Sequence, residues 1–323
     1  MKVLRPILCF AMICFLLFTP ARLITGAQES FVDARFVRKT PDFTGTVVIW
    51  HVVRAKPYSG SMTQWLKNRA EAYEKQHKGL FIKIEGMDEK TFYERLEHGR
   101  TADAYSFFSG SMIPDRLRDI PDLSIAYRDG LFQMDRAVPY CFSGYCRLVK
   151  KPDGTGSKAY YADDVLAARL GAGQNEAGEE KADVLFLDLR RAGDLIRYKD
   201  GFSLASIEPI DNFTDAVCWL GIDRETNDEK TEVLLGFISY LLSHDIQQSL
   251  NALGLFAAAR NVRNVPPEAG LKSVCKGYET VRTVDPFRWQ AEYDSLAHDA
   301  ALARTGDAEA GKRFLNRLHE LLR

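Results

Sequence analysis

The chain has 323 residues, which is enough for one large domain or two medium ones. Its composition is that of a globular protein, with 46% hydrophobic and 27% charged residues. The formal net charge of −1 argues against nucleic-acid binding, because phosphate backbones require a strongly basic surface.

The first 27 residues have the layout of an export signal. Lys2 and Arg5 form a basic start and the apolar run Ile7–Phe18 follows. Small residues offer two candidate cleavage sites, Thr25–Ala27 and Thr19–Ala21. The run is shorter than the roughly 20 apolar residues that a spanning helix needs. We therefore expect export to the periplasm, the cell surface or the medium. Retention of this segment as a membrane tether is the alternative.

Strand and helix patterns alternate after a polar connector at 28–45. Apolar runs and helical periodicity predict, in order, a strand at 46–53, a helix at 61–77, a strand at 80–84, a helix at 88–98 and a strand at 102–108. Because the joints are short, this order favours a parallel sheet with right-handed crossovers.

The stretch Ala137–Lys151 differs from its surroundings because it is extended and rich in aromatic residues. Pro139 fixes its own φ and pushes the preceding residue toward extended geometry. Such a segment between two domains would form a cleft wall or a hinge. An ordinary core strand is the alternative that the residues alone leave open.

The second half of the chain has mixed character. Its patterns predict a helix at 158–170, a strand at 183–187, a helix at 188–198, a strand at 213–222, a helical region at 228–254 with a break near Ser243, a loop at 286–289 and helices at 290–304 and 307–323.

Four cysteines follow the signal segment: Cys141, Cys146, Cys218 and Cys275. In an extended stretch, the odd separation of Cys141 and Cys146 places them on opposite faces, so a local disulfide bridge between them is disfavoured. We expect buried free thiols, although an exported protein could oxidise them.

Recognisable catalytic motifs are missing from the sequence. There is no HExxH metalloprotease motif and no GxSxG nucleophile turn, and the glycines near 154 and 171 lack the spacing of phosphate-binding loops. We therefore predict a protein that is not an enzyme and that has neither a cofactor nor a metal site.

Several stretches together resemble extracellular solute-binding protein family 1, the receptors of ABC importers that include maltose-binding protein. They are the strand and helix within Thr46–Tyr73, the crossover Ala137–Tyr145, the segment FISYLLSHDIQQSLNALGLF at Phe237–Phe256, and the closing helix at Asp307–Leu322. The chain departs from the family in its short middle and in Ala257-Ala258, where a proline is common.

The resemblance implies an α/β, two-lobed, periplasmic-binding-protein-like type II fold. Each lobe would be a mostly parallel sheet flanked by helices. The N-terminal lobe would comprise 46–136 and 229–263, the C-terminal lobe 140–212 and 264–323, and the hinge crossovers 137–150 and 213–221. A ligand would bind between lobes that close about the hinge.

Site residues are expected where strands end, because ligands of open parallel sheets bind beyond the carboxyl ends of the strands. This rule, together with the crossovers and the late loop, selects Trp50, His51, Phe107, Ser109, Tyr140, Phe142, Ser143, Tyr145, Arg190, Trp219 and Trp289. Aromatic faces with polar edges suit a sugar or a related polar solute. Core packing of the aromatic residues and a surface ion pair for Arg190 are the alternatives.

These features predict a monomeric extracytoplasmic receptor that captures a small polar solute and delivers it to ABC permease subunits. A membrane-anchored sensory subunit is the first alternative. An exported hydrolase with unrecognised carboxylates is the second.

Overall fold

The computed structural model describes residues 43–53, 57–112, 114–150, 158–161, 170, 181–198, 204–210, 212–265 and 271–321. The export-signal prediction therefore concerns residues outside the described ranges. None of the described helices is long and apolar enough to cross a membrane.

Ten strands and eight α-helices are described. In chain order they are β1 (Gly45–Val52), α1 (Met62–Glu74), β2 (Leu80–Met87), α2 (Glu89–Glu97), β3 (Ala104–Phe108), β4 (Val138–Phe142), β5 (Tyr145–Lys150), β6 (Ala159–Tyr161), β7 (Val184–Asp188), α3 (Leu189–Tyr198), β8 (Leu204–Pro209), β9 (Val217–Ile222), α4 (Asp228–Leu241), α5 (His244–Gln248), β10 (Phe256–Ala257), α6 (Lys272–Gly277), α7 (Pro286–Arg304) and α8 (Ala308–Leu321).

The strands form two sheets. The first has six strands in the order β10-β4-β9-β3-β1-β2, and the second has four in the order β6-β7-β5-β8. In the first sheet β1, β2, β3 and β4 run in one direction, and β9 and β10 run against them. In the second sheet the three strands β6, β7 and β8 share a direction, and only β5 opposes them.

The chain passes from one sheet to the other at two places beside each other. Ser143 and Gly144 join β4 to β5, and the residues between β8 and β9 bring the chain back. The hydroxyl of Tyr278 lies against both passages: it accepts a hydrogen bond from the Tyr145 amide at 2.7 Å and lies 3.2 Å from the Phe213 carbonyl. A Cβ at residue 144 would come within 2.3 Å of the Tyr278 ring, so glycine is needed there.

The cores follow from the two faces of the sheets. One buried cluster lies under α1 and α4 and includes Ile49, Leu66 and Phe237. A second cluster includes residues of both sheets, among them Phe107 of β3 and Leu185 of β7. A third, smaller cluster joins α7 to α8 around Trp289, Phe314 and Leu318.

The five elements predicted from 46 to 108 are confirmed, with ends shifted by a few residues. So is the break near Ser243, where α4 ends and α5 begins, and the end of this region at Gly254, which has φ +67°. Glycine suits that left-handed geometry because it has no Cβ.

Two predictions for the second half are wrong. The predicted helix at 158–170 contains the strand β6, whose residues Ala159–Tyr161 pair with β7, and 162–169 lie outside the described residues. The predicted loop at 286–289 is the first turn of α7: the Asp285 carboxylate accepts hydrogen bonds from the Phe287 and Arg288 amides, and Pro286 occupies the first helical position.

Candidate functional site

The loop that follows β1 touches the helix that follows β7, and this contact joins the two lobes. The Arg190 guanidinium, at the start of α3, donates hydrogen bonds to the carbonyl oxygens of Pro57 at 3.1 Å and Tyr58 at 3.4 Å. The guanidinium also pairs with Asp194, one helical turn later, at 3.2 Å. Its backbone partners belong to the other lobe, so Arg190 has more than the surface ion pair that was the alternative for it.

The ring of Tyr58 fills the space next to this contact. Tyr58 is 2% exposed and belongs to the buried cluster that includes residues of both sheets. The ring lies against Gly193 of α3, where a Cβ would come within 2.3 Å of it. The absence of a side chain at Gly193 therefore leaves room for the Tyr58 ring and allows the two lobes to approach each other.

Nine of the eleven predicted site residues are buried. Those at 5% exposure or less are Trp50, His51, Phe107, Ser109, Tyr140, Phe142, Ser143, Trp219 and Trp289. The other two, Tyr145 and Arg190, are partly exposed. A solute could reach the buried residues only after a rearrangement, and their part in binding stays a prediction.

The predicted residues do not form one group. Trp50, Phe107, Phe142 and Trp219 share the cluster that includes residues of both sheets, Tyr140 lies in the cluster under α1 and α4, and Trp289 lies in the α7–α8 cluster. Among the polar members, the Trp219 indole donates to the Ser109 hydroxyl at 3.0 Å. The Tyr145 hydroxyl donates to the Asp215 carboxylate at 2.6 Å, near the return passage.

A row of buried polar side chains crosses the first sheet. The His51 Nδ1 lies 2.8 Å from the Ser106 hydroxyl, which lies 2.7 Å from the Tyr140 hydroxyl. Burial lowers the pKa of His51 to about 4, so the imidazole is neutral at pH 7. Among the described residues its Nε2 has no hydrogen-bond partner.

Pro57, Tyr58 and Gly193 were not among the predicted residues. The rule that ligands bind beyond the carboxyl ends of strands could have selected Pro57 and Tyr58, since they follow β1. Gly193 carries no such signal, because the need for glycine arises from a tyrosine far away in sequence. In the described part of the chain, no three His, Cys, Asp or Glu residues are grouped so as to hold a metal ion.

No protein-family model and no curated protein matches the chain. Solved structures do share its fold. The cyclic α-maltosyl-1,6-maltose binding protein from Arthrobacter globiformis has a TM-score of 0.62 and 11% identity, over 84% of this chain and 96% of that chain. The GacH receptor of Streptomyces glaucescens, solved with and without acarbose, has a TM-score of 0.58 and 14% identity, with coverages of 86% and 98%.

An extracellular solute-binding protein from Staphylococcus aureus, solved with maltose, has a TM-score of 0.57 and 9% identity, with coverages of 86% and 98%. The two sheets and these neighbours decide the architecture. The chain has the type II periplasmic-binding-protein fold. At such low identity the likeness establishes the fold and leaves the solute open.

Within a type II periplasmic-binding-protein fold, the contact between the 57–58 loop and α3 is a contact between the two lobes. The first sheet supplies the loop and the second supplies the helix. Arg190 and Gly193 lie three residues apart on α3, so one face of this helix meets the opposite lobe twice. The structure thus shows the two lobes in contact.

Proposed function

We propose that this protein is a non-catalytic extracytoplasmic receptor that binds a small polar solute between its two lobes and delivers it to an ABC importer. The observation that carries the proposal is the contact of Arg190 and Gly193 with Pro57 and Tyr58. In a protein with this fold, a contact that joins the lobes is also one that can open and close over a solute.

The passages between the sheets support such a motion. Each passage is one short segment of chain, and both passages lie against Tyr278. Rotation about these adjacent segments would separate α3 from the 57–58 loop while leaving each sheet intact, because hinge motions are absorbed by a few residues between elements.

We propose a sugar or a related polar organic molecule as the solute. Arg190 and Tyr145 are the predicted site residues with exposed surface, and they offer a guanidinium and a phenol. The Tyr58 ring, which is buried while the lobes are in contact, would add an aromatic face once they separate, and an aromatic face beside hydrogen-bonding groups suits sugar rings. Neighbours solved with maltose and acarbose support this class of ligand.

The location and the partners belong to the same proposal. A basic start followed by an apolar run supports export, and a receptor outside the cytoplasm would present its solute to permease subunits as a monomer. The two lobes would follow the ranges predicted from the sequence, with 137–150 and 213–221 as the hinge crossovers.

Thermal unfolding in the presence of sugars, polyols, amino acids, short peptides and metal ions tests the proposal. A solute present at 100 times its Kd stabilises the folded state by about 2.7 kcal/mol, which raises Tm visibly. We expect one class to raise Tm without being consumed. The shift should shrink in Tyr58→Ala and Arg190→Ala and persist in Lys312→Ala, a control on the exposed surface of α8. Turnover of the bound solute would contradict the proposal.

A further inference from the structure

Two cysteines from distant parts of the chain face each other in the first sheet. Cys141 of β4 and Cys218 of β9 are direct partners in the antiparallel ladder. Both side chains lie in the buried cluster under α1 and α4, so they share one face of the sheet. The Cys218 thiol is close enough to Cys141 to add to the effect of burial in raising the pKa of the Cys141 thiol, and both cysteines are free thiols in the structure.

A bulge brings this pair into place. Pro139 is opposite Trp219 and Cys141 is opposite Cys218, so Tyr140 is an extra residue in β4. Alternation would otherwise put Tyr140 and Cys141 on opposite faces, yet both lie in the same cluster.

The spacing of such partners matches that of a disulfide. Directly opposed residues of an antiparallel pair have Cα atoms roughly 4.5–5.5 Å apart. Disulfides bridge Cα atoms about 4.4–6.8 Å apart. Because both side chains also point to the same face, a bond between the sulfur atoms needs no movement of either strand to another register.

We propose that Cys141 and Cys218 form a disulfide bond when the chain folds in an oxidising compartment, a setting that the proposed export would provide. The reaction is two successive exchanges with an organic disulfide. One cysteine thiolate attacks it and releases a first thiol. The second cysteine thiolate then attacks the mixed disulfide, forms the Cys141–Cys218 bond and releases a second thiol. The oxidant gains the two electrons that the cysteines lose, and the two cysteine protons end on the released thiols.

The bond has to form before the core closes. Both cysteines are buried, and burial raises the pKa of the Cys141 thiol well above its usual value, so the folded thiol is a poor nucleophile. During folding the same thiols are solvated and reactive. Refolding in the presence of an oxidant is therefore the condition under which the bond is expected.

The other two cysteines have different neighbours. Cys146 is opposite Leu187 and Pro209 in the second sheet, and Cys275 lies on α6. Cys146 is in the buried cluster that includes residues of both sheets, so β4 and β5 turn it away from Cys141. Among these four cysteines, the geometry therefore selects Cys141 and Cys218 as the pair that can form a disulfide bond.

The bond would close a ring of chain that contains the whole second sheet. Residues 142–217 lie between the two cysteines, and they contain all four strands of the second sheet. Both passages between the sheets also belong to this ring, and they lie between the disulfide bond and the second sheet. A disulfide there would tie together the two strands at the base of the hinge and leave the lobes able to rotate.

The test is to unfold and reduce the full chain, refold it in glutathione and glutathione disulfide, block free thiols under denaturing conditions, and map peptides by mass spectrometry. We expect a peptide containing Cys141 linked to one containing Cys218. Trypsin leaves Cys141 and Cys146 on one peptide, so the Cys146→Ser variant is the matched control, and it should keep the link.

Cys141→Ser should lose the link. Oxidised wild-type protein should melt about 5–10 °C above the reduced form, because the bond closes a long loop in the unfolded chain. A Cys141→Ala/Cys218→Ala variant should show no such difference. Refolded wild-type protein with both cysteines blocked at every glutathione ratio would overturn the inference, and this result is readable even if the variants fail to fold. Solute binding is not used in the measurement, so failure here is separate from failure of the receptor proposal.

Discussion

The guanidinium of Arg190 donates a hydrogen bond to the carbonyl oxygen of Pro57, 3.1 Å away, and this bond ties the helix after β7 to the loop after β1. Three of the six strands of the first sheet and the first passage between the sheets lie between the two residues in the sequence. Their contact is therefore a direct reporter of whether the lobes are together or apart.

Replacing Arg190 with methionine keeps the length of the side chain and removes its donors. We expect the closed arrangement to lose about 1–2 kcal/mol, the usual effect of losing hydrogen bonds from a charged donor at a partly exposed site. Hydrogen–deuterium exchange of α3 and of the peptide after Pro57 should become faster. Arg191→Met, at an exposed position on the same helix, should leave the exchange of both segments unchanged.

Gly193→Ala should separate the lobes. The new methyl group would meet the Tyr58 ring at 2.3 Å, which no side-chain contact tolerates. We expect a larger radius of gyration in small-angle X-ray scattering and a weaker affinity for solute. Adding Tyr58→Ala should restore the radius, because the clash is then gone.

The control for this change is Gly311→Ala on α8, where the nearest atom to the new Cβ is 3.7 Å away. There alanine should stabilise the protein by about 0.5–1 kcal/mol, since glycine in a helix is unfavourable. Equal radii of gyration for Gly193→Ala and wild type would show that the contact between Gly193 and Tyr58 does not control the approach of the lobes.

Tyr105→Phe should destabilise the first lobe. The Tyr105 hydroxyl donates to the buried Asp223 carboxylate at 2.5 Å, and Arg116 pairs with the same carboxylate at 3.0 Å. Burial, and then the hydrogen bond with Asp223, raise the pKa of Tyr105 to about 12, so the phenol remains a donor at neutral pH. Losing a hydrogen bond to a charged group costs about 1.5–3 kcal/mol, measurable by urea unfolding.

Tyr127→Phe is the matched change. The Tyr127 hydroxyl is buried and has no hydrogen-bond partner among the described residues, so its removal should leave stability unchanged or raise it. A loss as large as that of Tyr105→Phe would mean that the cost comes from the ring environment and not from the bond to Asp223.

Protonation of His51 should make stability depend on pH. Burial lowers its pKa from 6.5 to about 4, so between these values the unfolded chain binds a proton that the folded chain does not. The free energy of unfolding has its full contribution from neutral His51 above pH 6.5, and it loses this contribution as the pH falls toward 4. A shift of this size corresponds to roughly 3 kcal/mol.

Urea unfolding of wild-type protein and His51→Gln from pH 4 to 7 would measure this effect. Carboxylates titrate in both proteins, so the informative quantity is the difference between the two curves. We expect wild-type protein to lose more stability than the variant on acidification. Parallel curves would contradict a neutral, buried His51.

Local sequence patterns predicted the elements whose pairing partners are close in sequence. The strands β1, β2 and β3 and the helices between them were evident from apolar runs and from helical periodicity. The wrong prediction of a loop at 286–289 was avoidable, because Asp285 followed by Pro286 is a typical helix start. In β6, pairing with β7 prevails over the helical pattern that predicted a helix at 158–170.

The candidate site was harder to predict, since a buried aromatic residue looks the same in sequence whether it faces a core or a cleft. Trp289 packs between two helices, whereas Tyr58, which does lie where the lobes meet, was passed over. Both outcomes depend on which distant residue faces the ring. The Cys141–Cys218 pair was out of reach for the same reason, because it requires β9 to lie beside β4 and a bulge at Tyr140.

The position of β9 in the first sheet also sets an order of events during synthesis. Among the described strands, β4 pairs only with β9 and β10, and all four strands of the second sheet are made between β4 and β9. A nascent chain that ends before Val217 therefore holds β1 to β4 without the strand that joins β3 to β4. The strand that joins β3 to β4 is therefore available only when residue 222 of 323, just over two thirds of the chain, has been synthesised, and the last strand of the sheet, β10, ends at residue 257. If the chain is exported as proposed, such a delay would keep it unfolded for its passage through a translocation channel.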